Sequence, residues 1–180
     1  MQVLILIQNK LMKFYSEALF LDIAKKYPEA IEKYEQALEN GEQNIEIYLN
    51  LCFIYFQVCT EFVWRFNFNI SEDICNRSYD KVFNLLEVAN VIHPNKKVCF
   101  NFLKKYFTHR TIFDDFTEED VLAMISNDNQ NCLLPYMLLY LFDMKKYKRQ
   151  RDLLLAECQK ELTAKNLYII SLIEDRAEEI

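Results

Sequence analysis

The sequence predicts an all-α chain of antiparallel helix pairs, and two observations carry that reading. Glycine occurs once and proline three times in 180 residues, whereas an all-β chain needs many turn glycines. Apolar residues recur at three- and four-residue steps along most of the chain, between short polar turns, and no segment reads as a strand. Apolar residues make up 52% and aromatic residues 14%, enough to bury a core in one domain or one short repeat array. The expected organisation is a single helical domain over 1–180, with a repeat-like part at 1–108 and C-terminal helices at 117–180.

The first helix is expected at about 3–24, where Leu4, Ile7, Leu11, Phe14, Ala18 and Leu21 share a face. Lys25 and Lys26 suit its C-terminal end, where the helix dipole favours cations. The second starts near Tyr27. Pro28 fits its first turn because the missing N–H costs nothing there, and Gly41 lies just past its end, where a left-handed residue is needed. Ala30, Ile31, Tyr34, Ala37 and Leu38 form its apolar face. The third runs from about Asn44 to Phe62 or beyond. The aromatic stretch 60–69, with Trp64, Phe66 and Phe68, is either a helix extension or a loop packed on the core.

A fourth helix is expected at about 78–92, and Ser71 could open another turn before it. Pro94 stops it. A fifth follows at 96–108, then a break at 109–116. Thr117 caps a short helix to Ser126, with acids in its first turn. Helices at 134–144, 147–161 and 164–178 complete the chain, the last two either separate or continuous.

The formal net charge is −6, so a broad basic nucleic-acid surface is not expected. The six cysteines form no CxxC pair and lie mostly in apolar runs. They read as reduced core thiols in a cytoplasmic protein, with Cys75 the exception because its surroundings are polar. Val3–Ile7 lacks the basic start and the cleavage site of a targeting peptide, and Cys132–Phe142 is too short to span a bilayer. His93 and His109 are the only histidines. No metal-binding or catalytic spacing accompanies them, so neither a metal, a cofactor nor an enzyme activity is expected. The basic cluster Lys145, Lys146, Lys148, Arg149 and Arg151 and the acidic cluster at 114–120 read as solvated faces. The alternative for the basic cluster is a partner's acidic surface or RNA phosphates.

The stretch 17–55 resembles a tetratricopeptide repeat, a helix–turn–helix unit of about 34 residues. Ala30, Tyr34 and Ala37 match the family's second-helix signature, and Tyr48, Leu51, Cys52 and Tyr55 match the first helix of a following unit. Val82, Leu86, Ala89 and Pro94 match its second helix, displaced by about 18 residues relative to the usual repeat. The resemblance implies a short α-solenoid that binds a protein or peptide partner in a groove lined by first helices. That lining would include Tyr15, Leu19, Asn50, Phe53, Phe56 and Gln57. The competing reading is that Phe53 and Phe56 simply pack in the core. The carboxylate clamp of some members is absent, because Tyr15, Leu19 and Phe102 stand where Lys, Asn and Arg are needed, leaving Asn50 alone. The implied function is a non-enzymatic interaction module or adaptor. The alternatives are a peptide- or ligand-sensing regulator and a subunit of a ribonucleoprotein or membrane-associated assembly.

Overall fold

A computed structural model describes residues 13–126 and 132–178, with side chains through 175. The first part of the first expected helix, the turn at 127–131 and the end of the acidic tail lie outside the described residues. The rest is helical: ten α-helices and one 3-10 turn, with no strand among the described residues. The chain divides into two compact units, Met1–Leu85 with Thr163–Lys165, and Leu86–Leu162 with Asn166–Ile180.

In the first unit, α1 (Lys13–Ile23) and α2 (Tyr27–Glu39) pack on each other across a tight turn. The Lys26 N–H reaches the Leu21 carbonyl at 2.9 Å and the Lys25 N–H reaches that of Asp22 at 2.9 Å. Lys25 itself is left-handed, at φ 58°. The same paired closure ends α2, where Glu42 N–H bonds to Ala37 C=O at 3.0 Å and Gly41 N–H to Leu38 C=O at 2.9 Å. Gly41 has φ 79° and open space where a Cβ would stand, so the backbone angle and not crowding selects glycine there. Ala30, Ile31, Tyr34 and Ala37 are buried along α2, as their spacing predicts.

Helix α3 (Ile45–Thr60) is capped by Asn44, whose Oδ1 accepts the Glu46 N–H at 3.0 Å. Every residue from Ile47 to Val58 is buried. A helix apolar on all sides belongs at the centre of its unit. Asn50 and Gln57 are the polar residues inside that buried run.

The aromatic stretch forms a separate short helix, α4 (Phe62–Asn67), after a break at extended Glu61. Asn69, left-handed at φ 51°, turns the chain so that Ile70 is buried. Helix α5 (Glu72–Ile92) begins well before the expected Ser78. Ser71 caps it, accepting the Ile74 N–H at 3.3 Å. The early turns are held by an ion cluster with α2: Lys81 Nζ lies 2.8 Å and Arg77 Nη2 3.4 Å from the Glu35 carboxylate.

The second unit receives the last residues of α5, then the 3-10 turn Pro94–Lys96 and α6 (Lys97–Ile112). Helix α6 runs past the expected end at Thr108, where Thr108 and Thr111 donate to the Lys104 and Phe107 carbonyls. It ends at Phe113, left-handed at φ 58°. Helix α7 (Glu118–Ile125) opens with a capping box in which Thr117 Oγ1 accepts the Asp120 N–H and Asp120 accepts that of Thr117. Then follow α8 (Tyr136–Phe142), α9 (Lys148–Cys158) and α10 (Ala164–Glu178), the last two separated by 159–163. Phe100, Phe102, Leu103 and Phe107 of α6 are fully buried, and the Tyr106 and Tyr168 hydroxyls meet at 2.6 Å.

Two cysteines depart from the reduced-thiol reading. Cys99 and Cys132 form a disulfide, their Cα atoms 5.9 Å apart. Local spacing could not show it, because the partners are 33 residues apart. Cys52 and Cys158 are buried free thiols; Cys59 and Cys75 are free and half-buried. Among the described residues no helix is long and apolar enough to cross a membrane.

Candidate partner-binding site

The first three helices converge on one buried carboxylate. Asp22 sits in the last turn of α1 with no solvent exposure. Small Ala18 and Ala30, also fully buried, let the helices approach closely around it. Tyr34 of α2 donates its hydroxyl proton to Asp22 Oδ2 at 3.0 Å. Asn50 of α3 donates from Nδ2 to the Tyr34 oxygen at 3.1 Å. Tyr34 is thus a relay between a carboxylate and an amide as well as a packing group. Burial pushes the Asp22 carboxyl up to about 6, against the opposing pull of the Ala164 N–H, the Tyr34 hydroxyl and the Lys165 charge. Burial raises the Tyr34 phenol as well, and the Asp22 charge beside it adds to the rise.

The network grips a segment from more than a hundred residues along the chain. Asp22 Oδ1 accepts the Ala164 N–H at 2.7 Å. That N–H is the first of α10, one of the donors that a helix cannot satisfy internally. Gln57 Nε2 donates to the Ala164 carbonyl at 3.3 Å, and to its own Phe53 carbonyl at the same distance. Thr163 Oγ1 reaches Asn50 Oδ1 at 3.4 Å, the longest of these contacts. Lys165 Nζ lies 2.6 Å from the Glu46 carboxylate, with its side chain only 10% exposed. Backbone donor, backbone acceptor, hydroxyl and ammonium of three consecutive residues are therefore each met by a different side chain.

The expected groove residues are placed unevenly. Asn50, Phe53, Phe56 and Gln57 are buried, and the two amides hold the Thr163–Lys165 segment. Tyr15 and Leu19 on α1 are half-buried. The Tyr15 ring lies 6.5 Å from that of Tyr34, and its backbone N–H bonds to the buried Glu42 carboxylate. Asp22, Glu46 and the segment itself were not anticipated. An aspartate on an amphipathic helix reads as a solvent residue, and nothing local to Thr163 marks it as a ligand.

A second feature of the same unit is exposed. Trp64 and Phe68 pack on Tyr27, with ring centroids 4.4 and 4.6 Å away. That cluster fixes α4 so that Phe62, Val63 and Phe66 stand outward, 76%, 56% and 62% exposed.

The other sequence candidates gather no chemistry. His93 is half-buried, and burial lowers its basicity. His109 Nδ1 meets the Asp114 carbonyl. In the basic cluster Lys146 lies 2.7 Å from Glu118, Arg151 pairs with Asp152 at 2.7 Å, and Arg151 also covers the Tyr140 ring. A cavity of about 510 Å³ beside the disulfide is lined by Ile125, Cys132, Leu133, Tyr136, Arg149 and Gln150 with Leu153, a set with no carboxylate or histidine. No group of three His, Cys, Asp or Glu side chains among the described residues is placed to hold a metal ion. Compared with known proteins, the chain matches no family model, no curated protein sequence and no solved structure.

Proposed function

We propose that this chain is a non-enzymatic interaction module that holds a partner's peptide segment in the α1–α3 groove of its first unit, in the manner of the tetratricopeptide-like repeats it resembles. The observation that supports this reading is the grip on Thr163–Lys165. Side chains of α1 and α3 take a backbone N–H, a backbone C=O and a lysine from a segment distant in sequence. Main-chain capture with one charged side-chain contact is a general way of reading a peptide. Photocross-linking tests the proposal: a photoreactive amino acid replaces Gln57 or Phe66 in the full chain in its own cells. A discrete polypeptide cross-linked from position 57 supports the groove. Loss of every adduct at 57 counts against it.

The exposed Phe62, Val63 and Phe66 favour a second reading, a subunit whose aromatic face is covered in a larger assembly. Adducts from position 66 alone would select it.

A further inference from the structure

We infer that Thr163-Ala164-Lys165 is an internal ligand that closes the groove, so that a partner segment of the same chemistry must displace it to bind. The inference rests on the peptide-holding reading above and adds its regulation and the chemistry of its partner. That chemistry is a hydroxyl residue, a small residue and a lysine in succession.

Three features separate a strap from ordinary core packing. First, the contacts are polar and specific. Asp22 takes the Ala164 N–H, Gln57 its carbonyl, Asn50 the Thr163 hydroxyl and Glu46 the Lys165 ammonium. None of the three side chains carries a large apolar anchor. Second, the segment is short and the only part of the chain beyond Leu85 that belongs to the first unit. Third, the groove groups are costly to leave empty. Asp22 and Asn50 are buried, and a desolvated carboxylate or amide without a partner is strongly disfavoured. An exchange that replaces one set of identical bonds by another avoids that cost, whereas simple opening does not. Displacement by a like segment is therefore the favoured route into the groove. Ala164 is buried at 1% exposure with its N–H and its carbonyl both hydrogen-bonded, so a small residue suits the centre of the segment.

The occupied groove lowers the apparent affinity for any outside segment by the fraction of molecules in which the strap is away. Loosening the strap raises that affinity without touching the groove. Lys165→Glu does this by setting two carboxylates against each other at Glu46. The probe is a fluorescent, N-acetylated peptide of the chain's own residues 161–168, Glu-Leu-Thr-Ala-Lys-Asn-Leu-Tyr. Expected is binding to the full-length Lys165→Glu chain at least about tenfold tighter than to the wild type. The double variant Glu46→Lys/Lys165→Glu restores the strap's ion pair and repels the peptide lysine, so its affinity returns to the wild-type level or below. Equal affinity for all three chains, or binding to none, overturns the inference.

A second measurement needs no variant. Hydrogen exchange at the Ala164 amide of the wild type should accelerate as the unlabelled peptide is added. An amide that stays equally protected while the peptide saturates the protein also overturns it. A partner cross-linked from position 57 together with an unresponsive Ala164 amide would keep the groove and remove only the strap.

Discussion

In the unit that ends at Leu85, a distant segment is held by side-chain hydrogen bonds and one ion pair. In the unit that begins at Leu86, positions 33 residues apart are joined by the Cys99–Cys132 bond. The polar solution depends on the segment's chemistry: without the Ala164 N–H and the Thr163 hydroxyl, Asp22 and Asn50 would each lose one buried hydrogen bond. The covalent solution does not discriminate between occupants and does not exchange. It stabilises by restricting the unfolded chain. Both units also present apolar side chains to solvent, Phe62, Val63 and Phe66 in the first and Val91, Ile112 and Phe113 in the second. The hydrogen-bonded contact and the covalent bond thus lie in different stretches of the chain.

The sharpest way to break the contrast is to remove the covalent brace. Reducing Cys99–Cys132, or replacing both residues by alanine, should lower stability by about 2–4 kcal/mol, the loop-closure contribution for a bridge of this span. Denaturant unfolding with and without a phosphine reductant measures it. Identical midpoints, or mass spectrometry showing free thiols at both positions in the untreated protein, would refute the brace.

The polar closure predicts an opposite dependence on acid from the usual one. Asp22 stands at about 6 in the folded chain against an ordinary 3.8. Between those values the folded chain keeps a proton that the unfolded chain releases. The favourable contribution of neutral Asp22 is therefore complete below about pH 4 and fades as the pH rises through about 6, by up to roughly 3 kcal/mol. Asp22→Asn cannot titrate. The stability difference between wild type and this variant should shift by up to that amount across the interval, in favour of the variant at the higher pH. A difference that stays flat from pH 4 to 7 would show that Asp22 remains an ordinary carboxylate.

Packing in the repeat-like pair predicts a smaller loss. Ala37 is fully buried, and Ala37→Leu should destabilise by about 1–3 kcal/mol through overpacking. An unchanged melting temperature would remove the close helix approach from the account. The smallest effect has the opposite sign. Lys25 ends α1 in the left-handed conformation that Gly41 adopts after α2, and Lys25 is exposed. Lys25→Gly should stabilise by about 0.5–1 kcal/mol, relieving the strain of a side chain at positive φ. A loss of stability would mean that the lysine side chain contributes more than its backbone costs.

The helices were legible where local chemistry decides them. Pro28, Gly41, Asn44, Pro94 and Thr117 each fix an end through their own backbone or side chain, and each stands where the sequence placed it. The reading failed where distant groups decide. At 71–77 the sequence offered a turn opened by Ser71 but placed the helix proper from Ser78; the helix is continuous from Glu72, and its Arg77 and Lys81 pair with Glu35 on another helix. The Cys99–Cys132 pairing depends on the fold alone. In the candidate site, the tetratricopeptide resemblance named Asn50 and Gln57 as groove-lining residues. It did not name their occupant, since Thr163–Lys165 has no pattern of its own and meets them across more than a hundred residues.

The lone tryptophan of the chain, Trp64, stacks on Tyr27 in the first unit. Its emission is therefore a built-in optical reporter confined to that unit, and the stretch from Leu86 to Leu162 is silent at the same wavelength. An unfolding curve followed by tryptophan fluorescence records the undocking of α4 and the melting around it, while far-ultraviolet circular dichroism records every helix. Superimposed curves would mean that the two units unfold as one cooperative body; a fluorescence transition displaced from the dichroism would time their separation without a label or a mutation.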